Sequence, residues 1–375
     1  MRLGIDVREL QQGRRTGIGR WLRQLLACLA AHRPAHEVFL YANRTTDVTD
    51  LPAGAVRVAP EAATMWWDQV VLPSLAREDQ LDVFLSPYVK GPVSVHCRLV
   101  ITIHDLMFLV LPEYNLWHQR PVRCAFRAMA RRVVRRADLI FADSQWSARD
   151  AVRLLGAPDA RLRVAPLGVS PAYSPARDPA AEAGLRSGYG IGKPYILYVG
   201  NFKPHKNVDG LLRAWGRVPE PLRRAHQLVL AGREDRWRAP LLALARQLGC
   251  AADVRFIGAV DEADLPGLYR AALGFAFPSR YEGFGLPPLE AMACGTPVVA
   301  SDRTSIPEVV GDAALPVDPD DPGAFSQALG RLMTDAQLRA RLRQRGLERA
   351  ARFAASDCCT AQVRHLESLV ERGTA

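Results

Sequence analysis

The sequence lacks the features of several common protein classes. Its longest apolar stretch, residues 99–112, is interrupted by His104 and Asp105 and is too short to span a bilayer. The amino terminus, MRLGIDV, shows no signal-peptide pattern and leads directly into a strand-like run. The seven cysteines form no CxxC pair and lie near no spaced histidines, so a zinc site is not predicted. Together these absences predict a reduced, cytoplasmic protein.

Acidic residues are in deficit relative to basic ones. The 49 lysines and arginines exceed the 39 aspartates and glutamates, which gives a net charge of +10 and a pI near 9.5. This excess of positive charge favours a polyanionic partner, which could be an anionic lipid surface, a nucleic acid or a phosphorylated ligand. The arginine-rich stretch 120–136 has no interleaved series of aromatic residues that would form a base-stacking platform, so nucleic acid is not the predicted partner.

Strand-like and helix-like runs alternate along the chain, which predicts an α/β protein with parallel sheets covered by helices. A chain of 375 residues exceeds one core, so two Rossmann-like, doubly wound domains facing a central cleft are expected. The predicted boundaries are an N-terminal acceptor domain over 1–170, a Pro/Gly/Ala-rich linker over 171–194 and a nucleotide-sugar domain over 195–355. A C-terminal helix over 356–375 can cross back to the N-terminal domain.

The most informative stretch, residues 281–301, reads YEGFGLPPLEAMACGTPVVAS. Prolines at 287–288 suit the start of a helix, and Gly295 suits its left-handed end. Residues 296–300 then read as a buried strand. The polar residues of this stretch therefore belong to a junction between a strand and a helix.

Two carboxylates, Glu282 and Glu290, bracket that junction. Free N–H groups at a helix start favour anionic ligands, and Gly283 and Gly285 allow a ligand to touch the main chain. A carboxylate can accept hydrogen bonds from sugar hydroxyls. The combination predicts a nucleotide-sugar site, and the alternative is a capped core helix with a solvated glutamate at each end.

Two segments of the N-terminal half are further candidates for ligand contacts. Gly17 and Gly19 lie between the first strand and the first helix, where the backbone could approach a ligand closely. Leu22 stands where a dinucleotide-binding GxGxxG motif needs its third glycine, so a nicotinamide site is not predicted. His104 follows a strand and could donate to a hydroxyl, while Asp105 could orient that histidine or cap the next segment.

The loop 200–207, GNFKPHKN, follows the first strand of the second half and precedes a helix. Lys206 could neutralise a diphosphate there and stabilise a departing nucleotide. The alternative is a loop whose lysine side chains are simply exposed to solvent, as most lysines in proteins are.

The stretch 120–136 contains seven arginines at helical spacing, with apolar residues mainly on the other side. It predicts an amphipathic basic helix, and either an anionic membrane surface or plain solvent could face its arginines. The stretch 66–69, WWDQ, and the stretch 86–88, SPY, could contact an acceptor sugar, although tryptophans are more often core residues.

Taken in order, these motifs resemble the retaining glycosyltransferases of family four (glycosyltransferases group 1), which have the GT-B fold. The resemblance extends from residue 1 to about residue 355. Its strongest element is the Glu-x7-Glu spacing of Glu282 and Glu290, and VGNFKPHKN, TGIG, IHD and ADLIFADSQWS match further segments. The bacterial mannosyl- and rhamnosyl-transferases of surface polysaccharide synthesis are the most similar members.

The resemblance implies roles for the matching residues. Glu290 would bind the ribose hydroxyls of the donor, Glu282 would hold the transferred sugar and Lys206 would meet the diphosphate. Many members have an arginine where this chain has Asn201, so part of the positive charge would come from Lys203 or His205. In full, catalytic roles are implied for Glu282, His104, Asp105 and Lys206, and donor contacts for Gly17, Gly19, Gly200, Asn201, His205, Gly283, Phe284, Gly285, Leu286 and Glu290.

The implied activity is a retaining transfer of a hexose, mannose or a related sugar, from a nucleotide-diphosphate sugar to a saccharide or lipid-linked saccharide acceptor. Members of this type need neither a metal nor a cofactor. The expected location is the cytoplasm, with peripheral attachment to the inner face of the cell membrane through 120–136. Two alternatives stay open: a nucleotide-sugar epimerase of the same fold, which needs no acceptor, and a non-catalytic sugar-nucleotide-binding protein.

Overall fold

The structure, a computed structural model, describes residues 1–13, 16–32, 36–49, 51, 54–61, 63–111, 120–233 and 236–371. The chain divides into two compact units. Unit 1 comprises Met1–Gly168 together with Ala355–Ala375, and unit 2 comprises Val169–Ala354. Residues 171–194, for which the sequence predicts a linker, lie in unit 2 and include a ten-residue helix.

Unit 1 is built on a parallel sheet, with seven strands among the described residues. Its order is β3-β2-β1-β4-β5-β6-β7, the doubly wound arrangement that the alternating sequence predicts. The strands are β1 (Arg2–Asp6), β2 (Glu37–Ala42), β3 (Ala55–Val58), β4 (Val83–Ser86), β5 (Arg98–Ile103), β6 (Leu139–Ala142) and β7 (Leu162–Val164).

Helices connect these strands and cover the sheet. The α-helices of unit 1 are α1 (Gly17–His32), α2 (Thr64–Trp66), α3 (Leu72–Glu78), α4 (Met107–Val110), α5 (Arg120–Arg136), α6 (Gln145–Asp150) and the last helix of the chain, α16 (Ala355–Glu371). Two π-helical segments, Trp67–Val71 and Ala151–Leu155, join α2 to α3 and extend α6, and a 3₁₀ turn covers Asp159–Arg161.

Unit 2 repeats the plan with a parallel sheet whose described strands follow the order β10-β9-β8-β11-β12-β13. They are β8 (Tyr195–Val199), β9 (Gln227–Ala231), β10 (Val254–Gly258), β11 (Gly274–Phe277), β12 (Val298–Ser301) and β13 (Ala314–Val317). The α-helices are α7 (Pro179–Gly188), α8 (Val208–Arg217), α9 (Glu220–Arg224), α10 (Arg238–Gln247), α11 (Leu265–Ala271), α12 (Leu286–Ala293), α13 (Ile306–Val310), α14 (Pro322–Thr334) and α15 (Ala336–Ala351), with 3₁₀ turns at Pro204–Lys206, Ala251–Asp253 and Gly311–Ala313.

The central strands are apolar on both faces because helices cover both faces of each sheet. Strands β4, β6, β11 and β12 are buried along their whole length. This explains why they appear in the sequence as short continuous apolar runs rather than as alternating patterns. In such sheets the loops at the carboxyl ends of the strands are the usual place for ligands, which directs attention to the residues that follow each strand.

The last helix, α16, packs on α1 within unit 1. The indole Nε1 of Trp21 donates to Oε1 of Gln362 at 2.9 Å, and both residues are buried. Val363 and Leu366 bury their side chains on the same helix. The C-terminal segment therefore completes the fold of unit 1.

Helix α5 confirms the predicted amphipathic pattern over its described side chains. Val133 and Val134 are fully buried, whereas Arg127, Arg132 and Arg135 are exposed. Within the described part of the chain, no helix combines the length and the apolar character needed to cross a bilayer.

Candidate active site

A tight turn follows β8. The hydroxyl of Tyr198 donates to the carbonyl of Asn201 at 2.7 Å, and Oδ1 of Asn201 accepts from the N–H of Lys203 at 3.2 Å. A Cβ atom added at Gly200 would lie 2.8 Å from the Tyr198 hydroxyl oxygen, so a larger residue does not fit there. The side-chain oxygen of Asn201 thus shapes the loop, and the turn leads the chain into the 3₁₀ segment that contains Lys206.

Asn207 anchors the end of this loop. Its backbone is left-handed, with φ +56°, and its side chain is fully buried. The Nδ2 group donates to the carbonyls of Pro278, at 3.1 Å, and Pro319, at 2.7 Å, which follow β11 and β13. One side chain thus connects three strand ends. The sequence analysis assigned Asn207 no role.

Lys206 and Glu282, both predicted as catalytic, form an ion pair. The distance from Nζ to Oε1 is 2.6 Å, and the two side chains are only 15% and 13% exposed. The lysine Nζ also lies 5.7 Å from the centre of the Phe277 ring. The structure therefore places one positive and one negative charge together at the ends of β8 and β11, largely shielded from water. The alternative of a solvated loop is wrong for Lys206, whose side chain is only 15% exposed.

The glycine-rich turn 283–285 is fixed by residues that the sequence analysis did not single out. The Glu282 N–H donates to Oγ1 of Thr304 at 3.1 Å. The hydroxyl of Ser305 lies 2.9 Å from the carbonyls of Glu282 and Phe284, to which it donates. Both residues follow β12, so the strand next to β11 holds the turn in place.

This turn brings the backbone into helix α12. Gly285 has φ +109°, and α12 begins at Leu286 without a side-chain cap. The side chains of Phe284 and Leu286 are buried, 5% and 7% exposed, and the Phe284 ring packs on Phe353 at 5.9 Å. Their predicted donor contacts can therefore come from the main chain, where the positive end of the helix dipole favours an anion.

Glu290 occupies a different environment from Glu282. It lies on α12, is 2% exposed, and accepts a hydrogen bond from the Tyr269 hydroxyl at 3.2 Å. The alternative in which both glutamates are solvated is wrong, since both are largely buried. The structure pairs Glu282 with Lys206 and Glu290 with Tyr269, and a buried carboxylate with a hydroxyl partner is a polar group held in one orientation.

Gly17 and Gly19, predicted to lie in a loop before the first helix, instead form the first turn of α1, which is arranged around Thr16. The Gly19 N–H donates to Oγ1 of Thr16 at 3.0 Å, and the Thr16 hydroxyl donates to Oε1 of Glu9 at 2.6 Å. Thr16 therefore caps α1 in the usual way. A Cβ atom at Gly17 would meet nothing within 4 Å, whereas one at Gly19 would lie 3.3 Å from Thr16. Gly17 is the residue of this pair that leaves open space at the helix start.

The histidine predicted as catalytic pairs with an aspartate that was not singled out. Nδ1 of His104 lies 2.7 Å from Oδ2 of Asp143, the first residue after β6. Asp105, predicted to orient the histidine or to cap the next segment, accepts a hydrogen bond from the N–H of Met107, the first residue of α4, at 3.2 Å. The orienting hydrogen bond comes from Asp143.

Two family descriptions match the chain in succession. "Glycosyltransferase Family 4" matches residues 15–173, and "Glycosyl transferases group 1" matches residues 186–349. The O-antigen chain mannosyltransferase B of Escherichia coli is 38% identical over 265 residues, which are 70% of this chain and 68% of that protein. The chain belongs to the family 4 glycosyltransferases.

Other similarities extend this result. The serotype-specific mannosyltransferase WbdA of Escherichia coli is 30% identical over 70% of this glycosyltransferase, which matches 32% of the length of WbdA. The structure of Anabaena Alr3699/HepE in complex with UDP and glucose has a TM-score of 0.79 at 21% identity and covers 98% of this chain and 100% of its own. The likeness at that identity concerns the fold, and it confirms the predicted GT-B class with two parallel-sheet domains.

The tryptophan stretch that was weighed as an acceptor contact is only partly available in this glycosyltransferase. Trp67 and Asp68 are buried, and Trp66 is 56% exposed. Asp68 lies 2.5 Å from the guanidinium of Arg8, which also contacts Asp6 at 2.7 Å. Asp68 therefore belongs to a buried ion network at the end of β1, where it compensates the charge of Arg8.

His205 does not supply the positive charge that was expected from it. It is 3% exposed, and burial together with the neighbouring charge of Lys206 lowers its pKa to about 4. The imidazole is therefore neutral at pH 7. Its carbonyl accepts from the Arg280 N–H at 2.8 Å, which ties the loop to the end of β11. Lys206 carries the buried positive charge of this loop, and Lys203 is exposed.

The low pKa of His205 predicts an acid-labile unit 2. Between about pH 6.5 and pH 4 the unfolded histidine binds a proton and the folded one does not, so the free energy of unfolding falls as pH falls through this window. The loss is expected to reach about 3 kcal/mol at pH 4. Urea unfolding of the parent and of His205→Gln at several pH values measures it. The His205→Gln variant should show a shallower dependence of the free energy of unfolding on pH than the parent. Equal slopes in the two proteins would refute the assignment.

Proposed function

We propose that this glycosyltransferase moves a hexose, mannose or a related sugar, from a nucleoside-diphosphate sugar to a saccharide or lipid-linked saccharide acceptor in cell-surface polysaccharide synthesis, with retention of the anomeric configuration. The similarity to O-antigen chain mannosyltransferase B supports the sugar and the process. The UDP and glucose of the Alr3699/HepE complex, which has the same fold, support a nucleotide donor.

The observation that carries the proposal is the Lys206–Glu282 pair, 2.6 Å apart and largely shielded from water at the ends of β8 and β11. In this proposal Lys206 meets the diphosphate and stabilises the charge that develops on it as it leaves. Glu282 accepts hydrogen bonds from the hydroxyls of the transferred sugar, and Glu290 accepts those of the ribose.

The proposed reaction needs no metal, because Lys206 and the uncapped start of α12 face the developing charge. The bond between the anomeric carbon and the diphosphate oxygen breaks, and its electron pair stays with the diphosphate. The acceptor oxygen forms the new bond from the same side of the sugar, and the acceptor proton leaves with the diphosphate.

The experiment that tests this function has two steps. A thermal-shift screen with GDP-, UDP-, dTDP- and ADP-sugars identifies the donor, because a ligand that binds only the folded state raises its stability. The chosen donor is then incubated with and without a saccharide acceptor. A glycoside formed with retained anomeric configuration supports the proposal. Donor isomerisation without acceptor would indicate an epimerase, and binding without any turnover would indicate a binding protein; either result overturns the proposal.

We also propose that unit 1 binds an anionic membrane surface through α5. The exposed side chains of Arg127, Arg132 and Arg135 support this, because each basic residue near an anionic surface adds about 1 kcal/mol of attraction. Arg136 is excluded from this role, since its guanidinium donates to Asp138 at 2.8 Å and to the carbonyl of Cys97 at 3.0 Å.

Charge reversal on this helix tests the membrane proposal. The double change Arg127→Glu and Arg132→Glu is expected to reduce co-sedimentation with phosphatidylglycerol vesicles at least tenfold, since four units of charge are changed. A matched variant, Arg341→Glu with Arg345→Glu, makes the same change of charge on exposed residues of α15 in unit 2 and should bind nearly as the parent does. Equal binding by all three proteins would refute a role for α5.

A further inference from the structure

The His104–Asp143 pair arises from strand register in unit 1. Strands β5 and β6 are parallel neighbours, with Ile103 opposite Ala142, so the residue that follows each strand is brought beside the other. The result is a contact of 2.7 Å between Nδ1 of His104 and Oδ2 of Asp143. Both side chains are nearly enclosed, at 10% and 2% exposure.

The ring of His104 is held on several sides. The Trp21 indole meets it edge to face at 5.0 Å between ring centres, and Trp21 is itself fixed through Gln362. The hydroxyl of Ser147 donates to the His104 carbonyl at 3.2 Å. The imidazole plane is therefore set by packing and by Asp143 rather than by solvent.

The second ring nitrogen of His104, Nε2, has no hydrogen-bond partner among the described residues. This nitrogen is buried, and Oδ1 of Asp143 is likewise buried without a partner among those residues. A buried polar atom without a partner is costly, so a native fold retains it where a ligand supplies the missing bond. The atom lies on a ring that follows β5, at the sheet edge where ligands bind in this type of fold.

We propose that Asp143 is a positioning residue for His104: its carboxylate accepts the Nδ1–H and thereby directs Nε2–H at a hydroxyl group of a sugar substrate. This inference rests on the proposed function, because it assigns the missing hydrogen-bond partner of Nε2 to a sugar substrate. It adds to that function an aspartate that acts through the histidine and touches no substrate itself.

The charges around His104 favour the form of the ring that carries both protons, because its pKa is raised. Burial lowers the pKa of His104, but the charge of Asp143 and its hydrogen bond raise it by more, so the net shift is upward. Two further carboxylates, Asp105 and Glu9, add to the upward shift. Sugar transfer is therefore expected to fall as pH rises through the histidine pKa, because the donor proton on Nε2 is lost.

The first test measures the histidine directly. In the NMR titration of the imidazole of His104, Asp143→Asn should lower the pKa by about one pH unit or more, since an opposite charge at contact distance is removed. Asp138→Asn is the matched control, because Asp138 flanks the same strand at its other end and accepts from the N–H of Leu99. This readout needs no activity. An unchanged His104 pKa in Asp143→Asn would overturn the pairing even if the proposed function is right.

The second test is a double-mutant cycle in the transfer assay. Asp143→Asn alone should lower kcat/KM on the order of tenfold and move the alkaline limb of the pH profile to lower pH. In a His104→Ala background the same change should cost less than twofold, because Asp143 acts through the ring. Additive losses, or an alkaline limb that does not move, would overturn the proposal. A parent without transfer activity would refute the proposed function and leave the NMR result standing.

Discussion

Replacing Glu282 by glutamine is expected to lower sugar transfer by roughly two to three orders of magnitude, while the protein binds a free nucleoside diphosphate more tightly, up to about tenfold. Both effects follow from the Lys206–Glu282 contact of 2.6 Å. In the parent, Lys206 must leave or share its partner carboxylate to meet a diphosphate. In Glu282→Gln, that competition and the repulsion of one negative charge are gone, but the sugar loses its charged acceptor.

Isothermal titration calorimetry with GDP or UDP measures the first quantity, and the transfer assay measures the second. Glu220→Gln is the matched control, since Glu220 pairs with Arg224 on the exposed surface of the same unit and should change neither quantity. Lys206→Ala should weaken diphosphate binding, and Glu290→Gln should weaken it as well if Glu290 holds the ribose. A folded Glu282→Gln protein with near-parental turnover would remove the main support for the proposed site.

Asn207→Ala is expected to lower the free energy of unfolding of unit 2 by about 3 kcal/mol, because two buried hydrogen bonds are lost and alanine is strained at φ +56°. Both carbonyls, of Pro278 and Pro319, are left without this donor. Since Asn207 directly follows Lys206, the variant should also weaken diphosphate binding. Urea unfolding of unit 2 and calorimetry measure the two effects.

Two control variants separate the contribution of the hydrogen bonds from that of the backbone conformation to the stability loss at Asn207. Asn207→Gly loses the same bonds but removes the backbone strain, so it should be about 1 kcal/mol less destabilising than Asn207→Ala. Gln80→Ala makes the matched change at an exposed residue with a similar left-handed backbone, φ +47°, and should cost clearly less. If Asn207→Ala costs no more than Gln80→Ala, the side chain does not anchor the loop.

Most strands were predictable because they are buried on both faces and appear as apolar runs between turn residues. Three strands were not. Strand β3, AVRV, is a four-residue segment that is exposed along its whole length, and β7 has only three residues. Strand β13 contains Pro316 and lies at a sheet edge, the position where proline is tolerated. These strands depend on pairing with a neighbour, which a single stretch of sequence does not reveal.

For the candidate site, motif order and residue type pointed to Lys206, Glu282, Glu290 and His104, whose roles stay predictions. The supporting residues were not found, because Thr304, Ser305 and Asn207 act through hydrogen bonds across 21 to 112 positions of the chain. The expected charge on His205 was wrong because a histidine in a loop looks solvated, and burial next to Lys206 decides otherwise. The sequence shows which groups exist, but not which of them are shielded from water.

By itself, then, the sequence determined the alternation of strands and helices, the doubly wound sheets and the junction of β11 and α12, because these depend on local periodicity and on proline and glycine at helix ends. Only the tertiary structure decided that Asp143 rather than Asp105 orients His104, and that Glu290 turns to Tyr269 while Glu282 turns to Lys206. The physical reason is that parallel register and burial select partners among groups distant in the chain.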